Sequence, residues 1–196
     1  MSPMISRLRV SNFRSLGDVD LALGRLTVLA GQNGSGKSNV VDVFRFLSDA
    51  IRSGLEGAVT KRHGIAAVRR WSSGRPFNLE ICLEIERDDR VSAEYGFVLK
   101  GDKTAEYSVK HEGACVRRRT GPRGLRRQDE YRIDEGEWTM GPRDLRPRVD
   151  TLNLALPLLG GDERFRVLAD ELRSIAIYSI FPDVLREPQK YDLRSR

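Results

Sequence analysis

The sequence is poor in the residues that build metal centres and disulfide frameworks. Its 196 residues include two cysteines, Cys82 and Cys115, and two histidines, His63 and His111. These four residues lack the paired spacing of a zinc site. Two cysteines without such spacing also argue against a disulfide in a reducing compartment. We therefore expect neither a zinc site nor a disulfide.

Long apolar runs are missing as well. No run approaches the roughly 18 residues of a membrane span, and the opening residues MSPMISRLRV lack the apolar stretch of a secretory signal. The composition, with 39% hydrophobic and 32% charged residues, is that of a soluble globular protein. We expect a cytoplasmic protein with no membrane partner. The net charge of +6 is compatible with an anionic partner but identifies none.

What the sequence does contain is a glycine-rich stretch, LAGQNGSGKSNVVDVF, at residues 29–44. Its residues 31–38 fit the pattern G-x-x-x-x-G-K-[ST]. Gly31, Gly34 and Gly36 let the backbone fold so that successive N–H groups point into one cavity. Lys37 brings a cation to the β- and γ-phosphates, and Ser38 offers a hydroxyl to Mg²⁺. The pattern predicts a site for a nucleoside triphosphate, with ATP and Mg²⁺ as cofactors.

The sequence on both sides of this stretch fits the same prediction. Residues 26–30 form a short apolar run, which indicates a strand buried on both faces. After the glycines, apolar residues recur at helical spacing, and the free amides and dipole of that helix would face the phosphates. The predicted stripe comprises Val40, Phe44, Leu47 and Ile51, and the predicted helix ends at Gly54 or Gly57.

Alternating apolar residues predict strands through much of the chain. Two precede the glycine-rich stretch, and three more, at residues 77–86, 92–100 and 105–110, predict an antiparallel meander with one polar face. A basic loop at 116–128, another strand near 131–133, a helix after Asp162 and a buried strand at 175–181 follow. We divide the chain into a P-loop core (1–56), a β-rich subdomain with the basic loop (57–150), and a helix and strand returning to the core sheet before a polar tail (151–196).

Two segments together carry a resemblance to a known family. LRVSNFRSL followed by GQNGSGKSN resembles the start of SMC/RecF-type ATPases, a branch of the ABC ATPase superfamily, and of bacterial AAA-labelled and OLD-type ATPases. The resemblance implies an α/β fold with α+β character: lobe I of an ABC-type P-loop ATPase, with a mixed central sheet, an antiparallel β-meander subdomain and the C-terminal half absent. It adds Arg14, near the phosphates or the facing subunit, and the two asparagines of the pattern. The expected ATP-binding residues are Arg14, Gly31, Asn33, Gly34, Ser35, Gly36, Lys37, Ser38 and Asn39, with Lys37 catalytic and Ser38 the metal ligand.

The resemblance also implies groups for hydrolysis, and the sequence offers poor candidates for them. Residues 167–171 carry Asp170 and Glu171 as in a Walker B strand, but their apolar spacing is helical. Residues 158–163 resemble a signature loop only faintly and are better explained as a turn before the next helix. Gln128 and Gln189 do not follow clean strands. Because hydrolysis needs a group that positions water as well as a phosphate cradle, we expect weak ATP binding and little or no turnover by this chain alone.

These observations predict the N-terminal half of an SMC/RecF-like ATPase, a nucleotide-dependent switch in DNA repair, chromosome maintenance or phage defence. Its expected partner is a second copy or the missing C-terminal half, because the unfinished sheet would leave an exposed edge. Two alternatives stay open. One is a small P-loop kinase of a metabolite, although two strands precede the P-loop and a meander follows it. The other is a degenerate module in which bound nucleotide only stabilises an assembly.

Six arginines in the basic loop give a further prediction, a contact with DNA. Arginines neutralise phosphates along a nucleic-acid backbone without reading its sequence. No aromatic residues interleave with them, so base stacking is not indicated. A solvated hairpin tip explains the same composition. The candidate residues are Arg117, Arg118, Arg119, Arg123, Arg126 and Arg127.

Overall fold

The computed structural model describes residues 4–87, 90–120 and 125–178. It contains seven strands: β1 (Met4–Phe13), β2 (Leu16–Ala22), β3 (Leu79–Arg87), β4 (Val91–Leu99), β5 (Val109–Thr120), β6 (Leu125–Asp134) and β7 (Glu137–Met140). The helices are α1 (Lys37–Thr60), α2 (Ile65–Val68), α3 (Leu156–Leu159) and α4 (Arg166–Ser174). None of these helices is long and apolar enough to cross a membrane.

All seven strands join one antiparallel sheet in the order β2-β1-β3-β4-β5-β6-β7. The meander predicted from residue alternation is confirmed, since β3, β4 and β5 pair in sequence. β1 pairs with both β2 and β3, so the strands that precede the glycine-rich stretch continue the same sheet. Within the described ranges no parallel pair occurs. The mixed central sheet of an ABC-type lobe therefore stays a prediction, as do the three-part division of the chain and its boundaries.

One face of the sheet is covered by helices. Alternate residues of the central strands, such as Leu8, Ile81 and Phe97, are almost fully buried on this face. Helix α1 supplies the other half of the core with a stripe that includes Phe46 and Leu47, and it also packs against α3 and α4. The opposite face of the sheet carries mostly polar side chains, as the predicted alternation requires.

Several sequence predictions differ from the structure. The buried strand predicted at 175–181 is not formed by residues 175–178, and residues 179–181 lie outside the described part of the chain. Of the strand predicted at 105–110, only Val109 and Lys110 lie in β5.

Residues 26–30 are not in a strand but run unpaired, with Leu26 84% and Val28 78% exposed. A strand requires a hydrogen-bonding neighbour, and none of the described segments lies beside this one. The basic loop at 116–128 is instead two strands, β5 and β6, joined by residues 121–124, which lie outside the described residues. The helix expected directly after Asp162 begins at Arg166, one turn later.

The first helix follows its prediction at the start and exceeds it at the end. It begins at Lys37, as the glycine-rich pattern requires, but continues past Gly54 to Thr60. Gly54 has φ 81° and ψ 160°, so the helix kinks there rather than stopping. Glycine adopts that positive φ without the penalty a side chain would bring. Val40, Leu47 and Ile51 are buried as predicted, whereas Phe44 is only half-buried.

Candidate nucleotide-binding site

The glycine-rich loop folds tightly ahead of helix α1. Gly31, Gly34 and Gly36 have φ values of 154°, 81° and 93°, conformations that L-residues with side chains rarely adopt. At Gly36 the space is also restricted, because an added Cβ would lie 3.0 Å from the Leu16 Cδ2 atom. The sequence pattern therefore places glycine where the backbone conformation demands it, and at Gly36 packing demands it as well.

The Lys37 ammonium lies in the middle of this loop. Its Nζ donates to the carbonyl oxygens of Gly31 and Gln32, both at 2.7 Å, and to the Ser35 hydroxyl at 3.2 Å. These bonds fold the long side chain back over the loop instead of extending it into solvent. The cation is thus held where the loop curves.

The backbone amides of the loop are open. Within the described part of the chain, the N–H groups of Asn33, Gly34, Gly36, Lys37 and Ser38 donate to no other group, whereas that of Ser35 bonds the Gln32 carbonyl. Amides at a helix N-terminus without partners attract anions, and the helix dipole adds to this attraction. Five open amides beside one lysine fit a phosphate chain, and the exposed Ser38 hydroxyl is the group that would face Mg²⁺.

The turn between β1 and β2 braces this loop, which the sequence pattern did not indicate. The Asn39 side-chain amide donates to the Ser15 hydroxyl at 2.7 Å. Leu16 packs against Gly36 on the same turn. Asn39 is expected to bind ATP, but here its side-chain amide bonds Ser15 and so positions the start of α1. Local sequence patterns could not predict this contact, because residues 15 and 39 are far apart in the chain and meet only after folding.

Arg14 lies in the turn between β1 and β2, and its side chain contacts helix α1 instead of the glycine-rich loop. Its guanidinium forms an ion pair with Asp42 at 3.1 Å, and its Nε atom is buried without a partner in the described residues. Arg14 also has a positive φ of 49°, an uncommon conformation for a residue with a side chain. The contact with ATP phosphates expected of Arg14 stays a prediction. Asn33, by contrast, lies exposed within the loop itself.

A buried ion network fixes helix α1 behind the loop. Arg62 is 6% exposed and donates to both Asp42 oxygens at 3.2 Å and to Asp49 at 3.0 Å. Burial pushes the pKa of Asp49 upward, but hydrogen bonds from Lys61 and Arg62 outweigh it and hold that pKa below its usual value. Arg62 follows the kink at Gly54, so the network ties the two parts of α1 together. Sequence spacing gave no signal for this pairing.

The groups expected to activate water are not assembled near the loop by the described residues. Asp170 and Glu171 lie on α4, which confirms their helical spacing and excludes a Walker B strand there. Residues 158–163 form the end of α3 and a turn, as expected. Gln128 lies on β6, where it accepts a hydrogen bond from Arg117 and donates one to Glu130. Gln189 lies outside the described residues.

The basic segment separates into two faces of the β5–β6 hairpin. The register pairs Arg117 with Gln128, Arg118 with Arg127, and Arg119 with Arg126. Arg118 shares its face with the buried Val116 and is bonded to Asp129, and Arg117, Arg119 and Arg126 lie exposed on the other face. Arg123 lies outside the described residues. The six arginines therefore do not form one cluster.

Comparisons with known proteins support the P-loop assignment. Residues 26–153 match the family described as "AAA domain, putative AbiEii toxin, Type IV TA system". The chain is 36% identical over 114 residues to the DNA replication and repair protein RecF of Allorhizobium ampelinum, covering 58% of this chain and 28% of that protein. It is 53% identical over 38 residues to the OLD nuclease of Thermus scotoductus, covering 19% of this chain and 7% of that protein.

The chain thus spans less than a third of either relative. The predicted resemblance to RecF-like and OLD-type ATPases is confirmed at the level of the ATPase domain. The family match covers more than half of the 196 residues and includes the whole glycine-rich loop. The chain therefore belongs to this AAA-domain family, as an ATPase-like P-loop domain related to RecF and the OLD nuclease.

Proposed function

We propose that this chain is the ATP- and Mg²⁺-binding lobe of an SMC/RecF-like ATPase and works as a nucleotide-dependent switch. The observation that carries the proposal is the row of open amides around the Lys37 ammonium at the start of α1. The negative charge of bound Mg²⁺-ATP would promote association with a second copy or with a partner chain. The chain's own residues hold the phosphates, and Ser38 offers the hydroxyl ligand for Mg²⁺. Loop amides and Lys37 supply electrostatic stabilisation there.

Calorimetric titration with Mg²⁺-ATP tests the binding. Replacing Lys37 with alanine removes one charge-assisted contact of about 1.5–3 kcal/mol, so we expect roughly a 10- to 100-fold loss of affinity. Lys103→Ala is the matched control, because Lys103 is 68% exposed and lies away from the loop. Equal affinity of wild type and Lys37→Ala would contradict the proposal, as would failure of the folded wild type to bind.

We propose further that the chain alone does not hydrolyse ATP. The proposal is supported by the position of Asp170 and Glu171, which lie on helix α4 and not on a strand beside the loop. The catalytic role of Lys37 then needs groups from another segment or chain. Steady-state ATPase assays should show turnover no higher than that of Lys37→Ala. Robust turnover that this substitution abolishes would mean that a catalytic carboxylate lies near the loop after all.

The partner proposed here is a polypeptide that supplies strands beside residues 26–30. Leu26 and Val28 expose most of their surface, although their apolar run is typical of a buried strand. An exposed, unpaired segment of this kind recruits other strands. A second copy of this chain is the partner whose binding to residues 26–30 can be measured in a purified sample. We expect concentration-dependent association by light scattering that a Val28→Lys variant reduces; a monomer at high concentration would contradict this.

The process that the switch serves is proposed from its relatives. RecF is named for DNA replication and repair, and the OLD protein is named as a nuclease. We propose a role in DNA repair, chromosome maintenance or phage defence. A degenerate module, in which nucleotide only stabilises an assembly, is the second candidate, and the helical position of Asp170 and Glu171 favours it. Nucleotide-dependent dimerisation that persists without turnover would support that candidate.

A further inference from the structure

The β5–β6 hairpin carries a charge arrangement that is costly for the isolated protein. Two arginine pairs lie directly opposite each other, Arg118 with Arg127 and Arg119 with Arg126. Like charges at such positions destabilise a sheet. A pair that a carboxylate of the same chain neutralises has a structural role. A pair left without such a carboxylate is available to bind an anionic partner.

The first pair is neutralised within the chain. Arg118 and Arg127 both reach the Asp129 carboxylate, at 3.1 and 3.2 Å. Arg118 also donates to the carbonyl oxygens of Glu163 and Arg164, at 2.9 and 2.8 Å. This pair lies on the helix-covered side and ties the hairpin to the segment before α4. Its function is structural.

The second pair is not neutralised by any carboxylate in the described residues. Arg119 and Arg126 are exposed on the opposite face, beside Arg117, whose Nε donates to Gln128 at 3.2 Å. Arg90 is adjacent, because its carbonyl accepts the Arg119 backbone N–H at 2.8 Å. These four arginines line one hollow with Ser92 and Gln128, and Arg118, Arg127 and Val91 border it from the neighbouring positions. Glu86 is the one carboxylate among its described lining residues. We call Arg90, Arg117, Arg119 and Arg126 the arginine face.

The shape of the hairpin agrees with an extended partner. β4 pairs with β5 only as far as Arg118, and β7 reaches β6 no earlier than Arg132. Beyond Arg118 the described residues of β5 and β6 form a short two-stranded ribbon of two residue pairs, Arg119 with Arg126 and Thr120 with Leu125. Such a ribbon fits against or within the major groove of a DNA duplex. We propose that the arginine face docks on the phosphate backbone of duplex DNA.

A nucleic acid suits this surface better than an acidic protein does. Protein interfaces depend on apolar or aromatic anchors that become buried at their centre. The described part of the arginine face offers guanidinium groups, a serine and a glutamine, which are donors for phosphate oxygens. It offers no aromatic ring for stacking on single-stranded bases. The expected binding is independent of sequence and sensitive to salt.

Two neighbouring residues provide a matched experiment. Arg126→Gln and Arg127→Gln remove the same charge from adjacent positions that point to opposite faces. Fluorescence anisotropy with a labelled duplex should show several-fold weaker binding for Arg126→Gln and a salt dependence reduced by about one in log–log slope. Arg127→Gln should lose less affinity than Arg126→Gln, because Asp129 already neutralises the Arg127 charge. The triple variant of Arg117, Arg119 and Arg126 should lose binding.

Several results would overturn the proposal. These are no binding by wild type, equal loss in Arg126→Gln and Arg127→Gln, equal affinity for polyglutamate, or stronger competition by single-stranded DNA than by duplex. Thermal denaturation controls for folding, and Arg126→Gln should be no less stable than wild type because it relieves a like-charge pair. The proposal does not rest on nucleotide binding. Mg²⁺-ATP titration of Arg126→Gln should match wild type, so the two proposals can fail separately.

Discussion

Replacing Glu112 with glutamine should destabilise the protein by an amount that the structure allows us to estimate. The Glu112 carboxylate is 1% exposed and accepts four hydrogen bonds. Two come from the hydroxyls of Tyr95 and Tyr131, at 3.0 and 2.9 Å. Two come from the backbone amides of Ala155 and Leu156, at 2.5 and 3.0 Å. One side chain on β5 thus holds two neighbouring strands and the start of α3.

Glutamine has one acceptor oxygen where glutamate has two. Ala155 bonds one carboxylate oxygen of Glu112, and Leu156 and both tyrosines bond the other. In either orientation of the amide, its NH₂ group must face at least one backbone N–H. A buried donor left without a partner costs about 1–3 kcal/mol. For a chain of this size, that corresponds to a Tm lower by roughly 2–12 °C.

Urea and thermal denaturation followed by circular dichroism would measure this loss. Glu80→Gln is the matched control, because Glu80 is exposed on β3; we expect it to lie within about 0.5 kcal/mol of wild type. Glu112→Gln as stable as wild type would refute the assigned role of the carboxylate.

The same variant predicts a pH dependence. Burial raises the pKa of Glu112 above the ordinary 4.5, and its four donors offset only part of the rise. The folded state therefore binds the proton more tightly than the unfolded state, so stability from this group is fully present below pH about 4.5 and declines as the pH rises through the folded pKa. The stability advantage of wild type over Glu112→Gln should shrink accordingly. An advantage that grows with pH above 4.5 would contradict the direction of the shift.

Three further substitutions test the surroundings of the loop. Arg62→Met removes the Arg62 hydrogen bonds to Asp42 and Asp49 and should cost about 1–3 kcal/mol, because Arg14 and Lys61 still pair with these carboxylates. Lys61→Ala, at an exposed pair, should cost at most about 1 kcal/mol in the same urea titration. Gly36→Ala should lower the Tm more than Gly34→Ala does: both have positive φ, but no atom lies within 4 Å of a Cβ added at Gly34. Ser15→Ala removes one hydrogen bond that positions the start of α1, so it should lower stability by about 0.5–1.5 kcal/mol and weaken Mg²⁺-ATP binding; a thermal melt and calorimetry would measure the two effects.

The meander and the start of α1 could be predicted because their signals are local. In β3, Leu79, Ile81 and Leu83 alternate with polar residues since one face of the sheet is buried, and this holds whichever strand pairs with them. The glycine positions likewise follow from backbone conformation alone. The spacing of Gly31, Gly34 and Gly36 specified the loop before any neighbour was known.

The bracing contacts could not be predicted in this way. Ser15 meets Asn39 and Arg62 meets Asp42 only after the sheet and α1 have packed together. Nothing in the spacing of these residues distinguishes them from the other polar residues of the chain. The Arg118–Asp129 pair is similar: the arginine-rich composition suggested one basic surface, and only the strand register divides it between two faces.

Residues 26–30 and 175–178, which belong to two predicted buried strands but lie in no strand of the described structure, are both close to helix α1. Residues 26–30 lead into α1, and Ile175, Ala176 and Ile177 lie along its outer side beside Arg45 and Arg52. The inner side of α1 is already buried against the seven-stranded sheet. A helix with a sheet on one side and unpaired apolar segments on the other is typical of the middle layer of a three-layer α/β domain. Since strands buried on both faces read as continuous apolar runs, these two segments are the described residues from which a second sheet on the outer side of α1 would be built.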